Sequence, residues 1–303
     1  MAKVLITGGT GLIGQHLSRK LLKNGYDVVV LSRHRSANND AEIPVYYWDI
    51  DKNEVDQEAL ISCDYIIHLA GVNIGEKRWT DQRKLQISKS RIKSAEFILQ
   101  NINKKKNNLK AFISASAIGY YGSITTDKVF DETDPCADDF LGNTCNQWEQ
   151  SADKFAELGT RVVKIRTGIV LSKKGGVLSR FSIPAKTGLG SAIGDGKQYL
   201  PWIHIEDLCN IYMSAIQNTN MKGVYNAVAP EHITNNEFVR KISERMKMPF
   251  WLPNIPSILI RLIFGEMSVM LLNGSRVSSE RIIAAGYKFY FPTIDGTLQD
   301  LYK

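Results

Sequence analysis

The chain of 303 residues is sparing with cysteine, carrying four, at positions 63, 136, 145 and 209. None forms a C-x-x-C pair, and none stands at metal-ligand spacing from a histidine. A disulfide scaffold and a structural zinc site are thereby set aside, no metal is expected, and the thiols read as free groups in a reducing compartment. Long hydrophobic runs are missing too. The most apolar late stretch, 255–272, is interrupted by Pro256, Arg261 and Glu266, and reads as a packed helix pair, not a membrane span. The chain opens directly on an apolar run at 3–7 with no leader-like segment, so the expectation is a cytoplasmic protein with no membrane partner. Internal repeats and low-complexity segments are absent. Basic residues outnumber acidic ones 38 to 31. The one dense basic run, Lys104-Lys105-Lys106, lacks interleaved aromatics and reads as a solvated helix end, so no nucleic-acid partner is expected.

What is present is the composition of an ordinary globular chain, 44% apolar and 23% charged. Short apolar runs at 4–7, 27–31, 45–48, 65–69, 111–114 and 162–165 predict strands. Helical periodicity falls at 12–22, 80–103 and 143–158. Strands this apolar, separated by helices, argue for a parallel sheet covered on both faces. After Gly168 the pattern changes. Residues 172–200 read as loop with a short helix, 203–218 as a helix, 223–228 as one more strand, and from 231 onward helices dominate, punctuated by Pro249, Pro253 and Pro256. The expected organisation is a nucleotide-type core over 1–170, to which 203–228 returns. A smaller, mainly helical substrate lobe is expected from 171–202 and 229–303.

The stretch Thr7-Gly8-Gly9-Thr10-Gly11-Leu12-Ile13-Gly14 follows the first strand and opens the first helix. Gly8 suits a tight turn, Gly11 removes a Cβ that would obstruct a pyrophosphate, and Gly14 allows close packing of the helix on the sheet. The N–H groups at 10–14 then offer an anion site at a helix N-terminus. Selectivity is read at the end of the second strand, where an acid would favour NAD(H). The sequence there is Leu31-Ser32-Arg33-His34-Arg35, with no acid. Arg33 suits a 2′-phosphate and an adenine face, so NADP(H) is preferred over NAD(H). Asp49, after the third strand, is placed either to accept from the adenine amino group or to cap a loop.

The segments T-G-G-T-G-L-I-G at 7–14, H-L-A-G at 68–71, S-A-S-A-I-G-Y-Y-G at 114–122, R-T-G-I-V-L at 166–171 and W-I-H-I-E-D-L at 202–208 resemble the extended short-chain dehydrogenase/reductase superfamily, in its NAD-dependent epimerase/dehydratase group. The segments at 70–80, 145–149 and 271–289 are similar to a poorly characterised "epimerase family" branch that ends in a domain of unknown function. This resemblance implies an α/β fold, a Rossmann-type doubly wound parallel sheet with a smaller, mainly helical C-terminal substrate lobe. It implies that Leu69, Ala70 and Gly71 close over the cofactor, that Arg166 and Gly168 lie beside it, and that Ser114 and Ser116 stand next to the nicotinamide. Ser116 would hydrogen-bond a substrate carbonyl or hydroxyl. The competing reading for both serines is strand-end capping. A homodimer paired through core helices is a further implication.

In that superfamily a Tyr, with a Lys four residues later, moves the proton. Here Cys145 and Glu149 keep the spacing and lose the chemistry. The Cys145 thiol is one candidate acid/base group, without the cation that would tune it; Glu149 would raise its pKa further and can itself accept from the nicotinamide ribose hydroxyls. Tyr121 is the other candidate for proton transfer, with Tyr120 beside it; aromatic packing is the alternative for both. His204 reads as a hydrogen-bonding group holding the substrate loop, and Asn73, Arg78 and Trp79 as cleft-lining residues or as surface or lobe contacts. The expected activity is that of an NADP(H)-dependent oxidoreductase or epimerase acting on an unknown small molecule, with a nucleotide sugar as the family default. The alternative is a non-catalytic NADPH-binding sensor or scaffold.

Overall fold

Residue alternation within each strand decides the layering. In the strand Lys3–Thr7, Val4 and Ile6 enter one core and Leu5 the other; Val28 and Val30 likewise oppose Val29 and Leu31 in the next strand. A period of two with both faces apolar is a strand buried on both sides. The structure is a computed structural model that describes residues 1–34, 42–61, 63–102 and 109–303. Arg35 and the Lys104–Lys106 run lie outside the described residues.

The first half of the chain contributes β1 (Lys3–Thr7), β2 (Asp27–Ser32), β3 (Val45–Asp49), β4 (Glu54–Val55), β5 (Tyr65–His68), β6 (Ala111–Ala117) and β7 (Val129–Phe130). The second half adds β8 (Arg161–Thr167), β9 (Ile169–Ser172), β10 (Gly175–Gly176), β11 (Trp202–His204), β12 (Gly223–Ala227) and β13 (Arg276–Val277). The helices begin with α1 (Leu12–Lys23), α2 (Gln57–Leu60), α3 (Asp81–Asn101), α4 (Phe140–Asp153) and α5 (Val177–Lys186). They continue with α6 (Ile205–Gln217), α7 (Asn235–Arg245), α8 (Ser257–Phe264), α9 (Val269–Leu272), α10 (Glu280–Ala284) and α11 (Ile294–Leu301).

Eight strands form one sheet in the order β12-β8-β6-β5-β1-β2-β3-β4, parallel except for β4. Leu17 and Leu21 of α1 and the buried residues of α6 fill one face. Ala95 and Ile98 of α3, Ala152 of α4 and Phe155 fill the other. This is the doubly wound Rossmann-type sheet that the apolar runs predicted. A third core, containing Trp202, Phe238, Ile242 and Leu298, joins α5, α7 and α11.

Several boundaries differ from the sequence expectation. β6 runs three residues further than the apolar run suggests, to Ala117, because polar Ser114 and Ser116 stay in register with β8. Residues 202–204, read as helix from 203, are a strand paired with β9, and His204 then caps α6. The helix expected at 143–158 begins at Phe140, capped by Asp139, and tightens into a 3-10 turn after Asp153. The late apolar pair exists as α8 and α9, but α8 is packed on one side only: Ile260 is its one buried residue, and Phe264 is half-buried against the cluster of Trp79, Leu141 and Met267.

Candidate active site

The glycine loop is built by close approach. Gly8 has φ +69°, and a Cβ there would lie 2.8 Å from the Leu69 carbonyl, so the 69–70 backbone rests directly on the loop. A Cβ on Gly14 would meet the Gly8 oxygen at 2.4 Å, which shows that this glycine admits the loop itself and not the sheet. Packing against the sheet falls to Gly9, which the sequence reading left without a role: its Cβ would sit 2.5 Å from the Val30 side chain. At Gly11 the nearest protein atom to such a Cβ is the Gly8 oxygen at 3.3 Å. No side chain caps α1, and no acid sits in its first turn. The amide donors at 12–14 therefore point outward beside Thr10, the geometry an anionic diphosphate requires. Arg33 is exposed just past β2. Asp49 acts as a loop cap: Oδ1 accepts from Asp51 N–H at 3.0 Å and Lys52 N–H at 3.2 Å. Gly71 lies beside the Arg91 side chain, and Gly168 against the Pro201 carbonyl.

Strand register then aligns two polar rows on the face covered by α3 and α4. Thr7, His68, Ser114 and Lys164 are paired in sequence across β1, β5, β6 and β8. One step further along, Ser116, Arg166 and Asn226 are paired across β6, β8 and β12. In the first row the bonds fix a tautomer. Ala70 N–H donates to Thr7 Oγ1 at 3.2 Å, and Ser94 Oγ donates to the Arg91 carbonyl at 2.9 Å. The Thr7 hydroxyl is thus left to donate to His68 Nδ1 at 2.8 Å, and His68 Nε2–H donates to Ser94 Oγ at 3.0 Å. Burial holds the imidazole neutral, lowering its pKa from 6.5 to about 4. Ser114 Oγ donates to the Ala115 carbonyl at 2.9 Å.

The second row carries charge. Cys145, Trp148, Glu149 and Ala152 form the buried stripe of α4, and Glu149 descends from it onto the row. Arg166 grips it with both arms: Nε donates to Oε1 at 2.7 Å and Nη2 to Oε2 at 3.0 Å. Ser116 Oγ donates to the same Oε1 at 2.7 Å. The third arm of Arg166, Nη1, donates to the Tyr121 hydroxyl at 3.0 Å, and Tyr121 donates to Asn226 Oδ1 at 2.8 Å. The guanidinium centre also lies 3.3 Å from the Tyr120 ring centroid. Burial would lower the pKa of Arg166, yet its bonds to Glu149 hold it above the ordinary range. Burial pushes the Tyr121 phenol to about 12. Burial first, and Glu149 second, push the Cys145 thiol to about 12 as well, so at neutral pH it keeps its proton and is no base.

Of the residues singled out from sequence, the structure brings Ser116, Glu149, Tyr121 and Arg166 into one network, with Cys145 on the same helix face. Sequence reasoning did not find Asn226, whose position opposite Arg166 depends on a strand pairing distant in the chain. A signal existed for Arg166 itself, an arginine inside an apolar strand, which demands a buried partner. Asn73 Oδ1 accepts from Gly75 N–H at 3.0 Å within its own loop. Arg78 donates to the carbonyls of Leu262 and Ile263 at the end of α8, and Trp79 packs edge-on against Phe140. His204 caps α6 through Nδ1, accepting from Glu206 N–H at 3.0 Å, and stacks on Phe291. Asp207, also unforeseen, binds the C-terminal segment: its carboxylate accepts from the Tyr287 hydroxyl at 2.6 Å and from the N–H groups of Tyr290 and Phe291, each at 2.9 Å. Among the described residues no group of His, Cys, Asp and Glu is arranged for a metal.

A doubly wound parallel sheet with an open, glycine-built helix start defines a Rossmann-fold protein of the dinucleotide-binding type, here with a second lobe. Residues 4–227 match the NAD dependent epimerase/dehydratase family, to which the chain belongs, and residues 255–301 match a domain of unknown function, DUF1731. The chain is 34% identical over 303 residues to the mouse epimerase family protein SDR39U1, covering 99% of each chain. It is 33% identical to the epimerase family protein YfhF of Bacillus subtilis, covering 98% of this chain and 97% of the relative. The crystal structure of human SDR39U1 (isoform 2) with NADPH superposes with a TM-score of 0.86 at 32% identity, covering 99% of this chain and 98% of that one.

Proposed function

We propose that this protein binds NADP(H) and acts as an oxidoreductase or epimerase on a small molecule, using the Ser116–Glu149–Arg166 network where the wider superfamily uses Tyr and Lys. The observation that carries this reading is the buried row Ser116–Arg166–Asn226 met by Glu149 from α4, at the C-terminal ends of β6, β8 and β12. When bound, the cofactor supplies the hydride chemistry. The only hydroxyl proton of Ser116 is committed to Glu149, so Ser116 Oγ meets a substrate as an acceptor. That suits a substrate hydroxyl, whose proton passes to Ser116 as Ser116 passes its own to Glu149. Arg166 holds the carboxylate in place and compensates its charge. Glu149 Oε1 is filled by two donors and Oε2 by one, which leaves a single acceptor position on Oε2 for a ribose hydroxyl. Arg33, exposed and unaccompanied by an acid at the end of β2, supports NADP(H) over NAD(H). A homodimer, on family resemblance, and a cytoplasmic location remain part of this proposal.

A second reading is favoured by one observation: Ser116 is only 2% exposed. A group so covered also suits a structural network in a protein that binds NADPH and transfers nothing. Deuterium transfer separates the two. With NADPH deuterated at the nicotinamide C4 and a panel of carbonyl compounds and nucleotide sugars, label reaching product and lost in Ser116→Ala supports catalysis. Tight NADPH binding with no transfer to any compound supports the non-catalytic protein. Independently, Arg33→Ala is expected to cut the preference for NADPH over NADH about tenfold or more, as loss of a charge-assisted contact predicts; an unchanged ratio overturns the cofactor assignment.

A further inference from the structure

Two segments of the C-terminal lobe, 183–194 and 247–263, run side by side. Ser191 Oγ donates to the Pro253 carbonyl at 2.6 Å, and Gly194 N–H to the Ile255 carbonyl at 2.9 Å. The two contain no acidic residue, and Lys186, Lys247 and Arg261 are all exposed on them. They also hold nine of the seventeen exposed large apolar side chains among the described residues. Ile258 is 74% exposed, Leu262 73%, Trp251 70% and Ile183 69%. Scattered single apolar residues on a surface need no explanation, but a concentration of this kind does.

The geometry of α8 says what kind of partner fits. At about 100° per residue, Ile258, Leu259, Leu262 and Ile263 span one arc, Ile260 anchors the side turned to the protein, and Arg261 flanks the arc at its edge. The helix is seated through Ile260 and Phe264, its C-terminal carbonyls accept from Arg78, and the arc opposite is exposed. A self-complementary dimer patch is broad and flat enough to bury on the order of 1,000 Å² or more; a helix with an exposed apolar arc, an exposed indole in the same segment and cations around them is the form of an interfacial membrane anchor. The flanking acids have partners of their own: Glu266 pairs with Lys84 at 3.0 Å, Glu244 lies 3.8 Å from Arg240, and Asp195 accepts from Lys197 N–H at 2.9 Å, so the charges carried by the two segments themselves are all positive. The expectation of no membrane partner rested on the lack of a spanning segment, and no described helix is long and apolar enough to span. Lying on a bilayer surface requires no such helix.

We infer that segments 183–194 and 247–263 dock this protein peripherally on anionic lipid bilayers, with α8 and Trp251 entering the interface and Lys186, Lys247 and Arg261 meeting lipid phosphates. The test is co-sedimentation of the full chain with phosphatidylglycerol-containing vesicles and with pure phosphatidylcholine vesicles. The expected result is binding to the anionic vesicles that weakens with salt. An Ile258→Glu/Leu262→Glu double variant should reduce it about tenfold or more while melting temperature and NADPH binding stay unchanged. A Lys186→Glu/Lys247→Glu variant should weaken binding to anionic vesicles alone. No sedimentation with anionic vesicles, or binding that survives the double apolar variant, overturns the proposal. So does a solution dimer, seen by light scattering, that the apolar variant splits in a protein that does not bind vesicles; that outcome assigns the face to a second copy of the chain.

Discussion

Glu149 and Arg166 are buried opposite charges, and each is affordable only because of the other. Removing one leaves an uncompensated ion beneath α4. Glu149→Ala should therefore cost about 3–5 kcal/mol in urea unfolding, whereas Glu149→Leu combined with Arg166→Met should cost much less than the two single losses together. If the double variant is as unstable as the sum, the pair is not the unit described. The thiols make a second expectation at this scale. Cys63 and Cys145 are pushed to about 12 by burial, Cys209 is raised by it too, and only Cys136 is not buried. Iodoacetamide at neutral pH should label Cys136 alone in the native protein, which peptide mass spectrometry reads directly. His68 gives the pH dependence. The unfolded chain protonates it near 6.5 and the folded chain only near 4, so its contribution is fully present above 6.5 and lost as pH falls through that window. The loss amounts to about 3 kcal/mol. Urea midpoints measured downward from neutral pH should show this slope, and His68→Gln should flatten it.

Among the elements, the glycine loop was the most legible. Its spacing, with a strand before and a helix after, named Gly8, Gly11 and Gly14 because a dinucleotide imposes one backbone path. Gly9 was not legible, since its constraint is the side chain of Val30 on a neighbouring strand. This yields a test. Gly9→Ala should destabilise the fold by about 1–3 kcal/mol through overpacking, and Val30→Ala should rescue it in the pair; Gly14→Ala, blocked by backbone, should have no such rescue. The same distinction holds at the active site. The Cys145/Glu149 helix stripe followed from spacing along one element. The row Ser116–Arg166–Asn226 did not, because register between β6, β8 and β12 is set by pairings that no local pattern encodes. Likewise the apolar run at 255–272 announced helices but not that α8 would be left uncovered.

At the scale of the whole molecule, the C-terminal segment is fastened to the sheet through Asp207, which sits at the start of α6 in the motif W-I-H-I-E-D-L and receives three donors from Tyr287, Tyr290 and Phe291. Asp207→Ala strands the N–H groups of Tyr290 and Phe291 and leaves the Tyr287 hydroxyl only the residue 207 backbone carbonyl, 3.1 Å away. Limited proteolysis should then cut within the C-terminal segment at protease levels that leave the parent intact, with NADPH affinity changed far less. If the variant resists protease as the parent does, the clasp is not what retains this segment.

The last strand of the sheet has a consequence for synthesis. β8 ends at Thr167, but β12, which covers its outer edge, begins only at Gly223. While the ribosome adds the residues between, a nascent core would present β8 as a bare parallel edge, with Arg166 lacking its Asn226 neighbour and the hydroxyl of Tyr121 lacking its acceptor. Such an edge is a template for mispairing. The chain is therefore one whose yield in a cell should depend on holdase chaperones acting while β8 is uncovered.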